Sequence, residues 1–135
     1  MSAVVFPDIV AVLLDRLRAD VPSLTFVHEI PVPRPVTFVR IFRTGGPRLN
    51  LVVDGAQITV ESWAPTVPLA SANAQLVRAH LNALPEQRTV TPNIYRVDEM
   101  AGPAELPDLS SGSHRFTWSA IVAIRGGAGD TVASH

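Results

Sequence analysis

The stretch His114–Arg125 constrains the fold more than any other part of the chain. Phe116, Trp118, Ala120, Val122 and Ile124 recur at every second position, while Arg115, Thr117, Ser119 and Arg125 dominate the alternate set. Successive side chains of a strand point to opposite faces, so the pattern predicts a long strand with one buried and one solvated face. Such a strand belongs in an antiparallel sheet covered on one side, and the cover has to be helices with a single apolar stripe.

Two segments supply that stripe. Over Phe6–Ala19, Phe6, Val10, Leu13 and Leu17 share one face, broadened by Ile9 and Leu14, with Asp15, Arg16 and Arg18 turned away. Pro7 suits the first turn, Asp8 complements the N-terminal dipole, and Val21-Pro22-Ser23 stops the helix. Over Leu69–Leu84, the expected buried side is Leu69, Leu76, Val77, His80, Leu81 and Leu84, with Gln75, Arg78 and Asn82 outside.

The remaining strands are Thr25–His28, Thr37–Arg43, Gln57–Trp63 and a short Ile94–Asp98. In Thr37–Arg43, Phe38 and Phe42 fall on one side, and Val39 and Ile41 on the other. Ile30–Pro35 alternates proline with other residues and reads as a rigid extended connector into the next strand. Arg48–Asp54 and Met100–Ser113 read as loops. The predicted order is α-β-β-β-α-β-β, an α+β fold with a mainly antiparallel sheet of four to five strands and two helices on one face. Residues 1–126 form one domain, and 127–135, which lack periodicity, form a flexible tail.

Composition removes much chemistry. The 135 residues include no cysteine, and all 11 of the Lys+Arg count are arginine. Thiolate nucleophiles, disulfides, iron–sulfur clusters and cysteine zinc sites are therefore excluded. So are the phosphate-loop lysine, Schiff bases and lysine general bases. Abundant Ala, Val, Pro and Arg point to a GC-rich genome, which accounts for the missing lysine through codon usage. The net charge is −1, against a nucleic-acid or anionic-membrane binder by composition. No apolar run approaches the roughly 18–20 residues that span a bilayer. Met1–Phe6 lacks a basic n-region, so the expected compartment is cytosolic.

The residues left show no catalytic constellation. There is no Gly-x-Ser-x-Gly elbow for a serine nucleophile, and Ser110–His114 reads as a turn before a strand. His28 and Glu29 are adjacent and would point to opposite faces, His80 lies on the apolar side of a helix, and His135 is in the tail, so no metal set forms. Gly45-Gly46 and Gly126–Gly129 lack the strand–loop–helix context of a phosphate cradle. The expectation is a protein that is not an enzyme and holds no cofactor.

Charge placement is the remaining signal. No acid falls between Glu29 and Asp54, where Arg34, Arg40, Arg43 and Arg48 form a basic block. No lysine or arginine falls between Arg96 and Arg115, where Asp98, Glu99, Glu105 and Asp108 form an acidic block. Equal blocks of opposite sign suit a head-to-tail interface between copies, and arginine suits it through bidentate carboxylate contacts. Two solvated faces of a near-neutral protein give the same pattern. A third reading has the basic block line a channel carrying DNA, where a ring would multiply the field.

The segments Phe38–Asp54 and Ala56–Pro65 resemble the tail terminator (tail completion) proteins of long-tailed phages infecting actinobacteria. The resemblance continues through Ile94–Glu99, Gly102–Asp108 and the final strand to Gly126, with Ile30–Pro35 also fitting, so that it covers residues 6–126. It implies a sheet with helices packed on it, and a six-fold ring that caps the tail tube, stops its polymerisation and presents a surface to the head connector. The implied partners are further copies of the chain, the major tail tube protein and a head-closure or connector protein. DNA would pass through the lumen without sequence-specific contact, and no membrane is involved. The implied location is the virion neck, and the host cytoplasm during assembly. Another ring of the same neck, a head-closure or adaptor protein, is the alternative. The chain after Gly126 departs from the family pattern. On this reading the two charge blocks are subunit or partner contacts, Thr44–Asn50 projects toward the lumen or tube, and reversing Arg43 and Arg48 to Glu should abolish the ring without unfolding the monomer.

Overall fold

In the computed structural model, which describes residues 3–108 and 112–128, His114–Arg125 is the strand β6 near the middle of a five-stranded sheet. The elements in chain order are β1 (Val4–Val5), α1 (Ile9–Asp20), β2 (Phe26–Val27), β3 (Phe38–Gly45), β4 (Val53–Ala64), α2 (Val67–Ala83), β5 (Ile94–Glu105), β6 and β7 (Gly127–Ala128), with a 3₁₀ turn at Leu84–Glu86. The main sheet runs β2-β3-β4-β6-β5, antiparallel except for the β2–β3 pair, and β1 pairs with β7 in a separate ribbon. The fold is α+β, as the periodicities require.

β4 and β6 pair without interruption from Val53↔Arg125 to Ala64↔His114. That register puts Ala56, Ile58 and Val60 beside Trp118, Ala120 and Val122 on one face, and there they join Leu13 and Leu17 of α1 and Val77 and Leu81 of α2 in the core. Burying each such Leu, Ile or Val side chain contributes about 1.5–3 kcal/mol. β3 adds Val39 and Ile41 to the same face. Its Phe38 points the other way, yet is buried by stacking on Trp63, with ring centroids 5.7 Å apart.

Several boundaries differ from those expected, each for a local reason. Helix α1 begins at Ile9 because Asp8 is its N-cap, with its carboxylate accepting from Val10 N at 3.1 Å and Ala11 N at 3.3 Å. Thr66 caps α2 in the same way. Leu69 and Leu76, assigned to the buried side of α2, are 41% and 39% exposed, and the small residues Ala70, Asn73 and Ala74 face the sheet instead. Small side chains let the helix approach the sheet closely, which rotates its contact face away from the leucines. Met100–Ser113 is not all loop: β5 continues to Glu105, with register shifts at Ile94/Arg96, Glu99/Ala101 and Ala101/Ala104. Such bulges break the period of two and hide an edge strand from pattern reading. β4 likewise starts at Val53, inside the expected loop.

The first two residues of the expected tail are paired. Gly127–Ala128 pairs with Val4–Val5, tying the two ends of the domain together. A Cβ on Gly126 would lie 2.6 Å from Val4 and 2.8 Å from Phe6, so this crossing needs a glycine. Residues 129–135 of the expected tail lie outside the described residues. No helix among the described residues is long and apolar enough to cross a membrane.

Candidate subunit interface

The sheet order separates the strand-borne parts of the two charge blocks. Arg40 and Arg43 lie on β3 and Arg48 on the β3–β4 hairpin, whereas Asp98, Glu99 and Glu105 lie on β5, the opposite edge strand. β2 covers only Val39 and Arg40 of β3, so the rest of β3 is itself an open edge.

Most of these charges already have partners within the chain. Arg43 makes a bidentate pair with Asp54, at 2.8 and 3.2 Å, and also donates to Gly45 O and Gly46 O. Asp54 is only 5% exposed, so this pair belongs to the hairpin's own structure. Arg40 donates to His28 O and approaches Glu61 at 3.5 Å, and Arg115 reaches the other oxygen of Glu61 at the same distance. Arg34 lies 3.7 Å from Asp108, which joins the basic block to the acidic block in one chain. Arg34 and Arg115 both sit over the Trp63 ring, at 4.7 and 4.8 Å.

On β5, Glu99 accepts both guanidinium nitrogens of Arg78, at 2.7 and 2.6 Å, and Asn82 Nδ2 at 2.9 Å. The hydrogen-bonded guanidinium holds the Glu99 carboxyl below its ordinary value and raises Arg78. Asp98 pairs with Arg96, and Glu105 with His114 at 3.5 Å, both at exposed positions where such pairs are weak and exchangeable. Arg48 differs from the rest. Its guanidinium stacks over Phe6 at 5.2 Å and has no carboxylate partner among the described residues.

These contacts correct one expectation. Reversing Arg43 would set two carboxylates against each other in the hairpin, so the monomer would not remain untouched. Reversing Arg48, which is exposed, costs less: the new carboxylate would face Asp54 across a backbone bridge, but Arg43 already neutralises Asp54. Sequence reading missed Asp54 and Glu61 because neither belongs to a block; each is one acid facing a block across a strand pair. A count of charge along the chain has no term for that.

Other polar groups among the described residues are engaged in the fold. An open cleft of about 340 Å³ is lined by Asp8, His28, Arg43 and Leu14, but Asp8 is spent on capping α1 and Arg43 on Asp54. Arg16, 8% exposed, donates to Val90 O and Pro92 O and pins the segment before β5. Burial lowers its pKa from the ordinary arginine value. Among the described residues no group of three or more His, Asp or Glu side chains could hold a metal ion.

No protein-family model matches the chain, and no curated protein matches it at a significant level.

Proposed function

We propose that this chain is a structural protein of the tail-terminator type. Copies close into a six-fold ring at the head-proximal end of a phage tail tube, end its polymerisation and present the surface for head–tail joining. The observation that carries the reading is the sheet order: β3, which carries arginines and is left open beyond Arg40 by the two-residue β2, lies on the opposite side of the sheet from β5, the edge strand that carries acids. Opposite edges of opposite charge make a head-to-tail contact that repeats from copy to copy and closes when the rotation does. The resemblance over residues 6–126, and an α+β fold of the kind it implies, support the same reading. On it the partners are further copies, the tail tube protein and a connector-side protein, with DNA passing through the lumen and the assembled protein residing in the virion.

Negative-stain imaging and light scattering of the purified chain test the ring, and length distributions of tube protein polymerised with and without it test termination. Six-fold rings and tubes of limited length are the expected results. A monomer at all concentrations that leaves tube length unchanged would overturn the proposal.

A further inference from the structure

The β3–β4 hairpin ends in a tip, Pro47–Val52, whose backbone is unusually well held. Asn50 Oδ1 accepts from Val52 N and Val53 N, both at 2.9 Å, and Leu49 N and Asn50 N donate to Val53 O at 2.8 and 3.2 Å. Gly55 N donates to Pro47 O, and Gly126 N to Val52 O at 2.8 Å, which fastens the tip to the end of β6. On this fixed loop Leu49 is 45% and Leu51 72% exposed, beside Arg48, which has no carboxylate partner among the described residues. A rigid loop that shows two leucines loses little entropy on docking, which is what a preorganised binding element needs.

A matching receptor lies at the other edge. A cleft of about 390 Å³ beside the start of β5 is lined by Pro85, Glu86, Arg88, Asn93, Ile94 and Tyr95. Tyr95 is 43% exposed and is steadied by Arg125 Nη1, which donates to its hydroxyl at 2.8 Å. Glu86 is exposed and has no cationic partner among the described residues. The cleft and the tip also stand at the same height. Val52 O accepts Gly126 N, and Asn93 O accepts Arg125 N, so the two elements flank consecutive residues at the end of β6. A rotation axis running along the strands preserves height, and would carry the tip of one copy to the level of the next copy's cleft.

We propose that the tip of one subunit docks in the β5 cleft of a second copy, with Leu49 and Leu51 against Pro85 and Tyr95 and with Arg48 paired to Glu86. This deepens the ring reading and rests on it. The two patches differ, so the contact is heterologous and leaves a free tip and a free cleft at the ends of every open chain.

The absence of native cysteine makes a direct test clean. Leu51→Cys protein carrying a mass tag is mixed with Tyr95→Cys protein and oxidised under mild conditions. The expected product is a mixed disulfide that neither variant forms alone. In parallel, Arg48→Glu should weaken self-association by about tenfold or more, and Arg48→Glu combined with Glu86→Arg should restore it. Circular dichroism confirms that each variant is folded. If the unmodified chain assembles but no mixed disulfide forms and the charge exchange fails to rescue, the docking contact is wrong and the ring reading survives. If the unmodified chain stays monomeric at hundreds of micromolar and leaves tube length unchanged, both fail.

Discussion

Reversing Arg43 and reversing Arg48 should have opposite consequences, although the two arginines sit five residues apart in the same basic block. Arg43 is held by Asp54 through two charge-assisted bonds, 2.8 and 3.2 Å long, to a carboxylate that is 5% exposed. The arginine side chain itself is 33% exposed, so water tempers the loss. Removing the pair then costs about 2 kcal/mol, below the full figure for a buried pair. A glutamate at this position adds repulsion. Two unit charges about 5 Å apart at an effective dielectric near 20 repel by about 3 kcal/mol, and partial solvent access roughly halves that. The total for Arg43→Glu is about 3–4 kcal/mol. With an unfolding entropy of about 2.1 cal/mol/K per residue, that lowers Tm by about 12 °C. Arg48→Glu loses an exposed contact with the Phe6 ring and sets a carboxylate across the backbone bridge from Asp54, whose charge Arg43 already offsets, for a total of about 1 kcal/mol, or about 4 °C. Thermal melts of both variants followed by circular dichroism decide the matter. A shift below about 3 °C for Arg43→Glu, or one for Arg48→Glu as large as for Arg43→Glu, would show that the ion-pair reasoning is wrong. The assembly readout should reverse the order: Arg48→Glu, folded and stable, is the variant that loses self-association.

Two further perturbations bear on the hairpin and on the acidic edge. Gly46 has φ +95°, and a Cβ there would lie 2.1 Å from Gly55 O and 2.6 Å from Gln57 N, so Gly46→Ala should destabilise by about 2–4 kcal/mol and speed hydrogen exchange at Gly55 N. Glu99 has its carboxyl held below the ordinary 4.5 by Arg78, so its contribution is full above that value and is lost as pH falls through the lowered one. The difference in urea midpoint between wild type and Glu99→Gln should therefore be present at pH 7 and shrink to nothing in strongly acidic solution; a difference that grows on acidification would contradict the assignment.

The elements legible in the sequence are those whose environment has a period. β6 alternates cleanly because β4 and β5 flank it and helices cover one face; Trp118, Ala120, Val122 and Ile124 of its predicted inward set are in the core, and Phe116 is half-buried. α1 and the core half of β4 are legible for the same reason. β5 was shortened because its bulges reset the alternation three times, and its exposed residues carry no burial signal. The ribbon of Val4–Val5 with Gly127–Ala128 joins segments too short to show any period. On α2 the apolar pattern misassigned Leu69 and Leu76, because hydrophobicity marks which residues can be buried, while the close approach of Ala70 and Ala74 decides which are.

The candidate interface was legible in sign but not in availability. A basic block facing an acidic block is a statement about net charge, and in the folded chain most of that charge is already balanced: Arg34 by Asp108, Arg40 by Glu61, Arg43 by Asp54 and Glu99 by Arg78. An arginine with a carboxylate at its fork gains little from a second one on a neighbour, because the first pairing has already offset its desolvation. An arginine without one gains the full contact. The distinction moves the weight of the subunit contact from the blocks as wholes to the residues left over, Arg48 on one edge and Glu86 near the other. It also explains why exposed leucines matter here. With most charges of the two blocks already paired, the contact needs apolar area, and the tip at Leu49 and Leu51 supplies it beside Arg48, the arginine of the basic block with no carboxylate partner among the described residues.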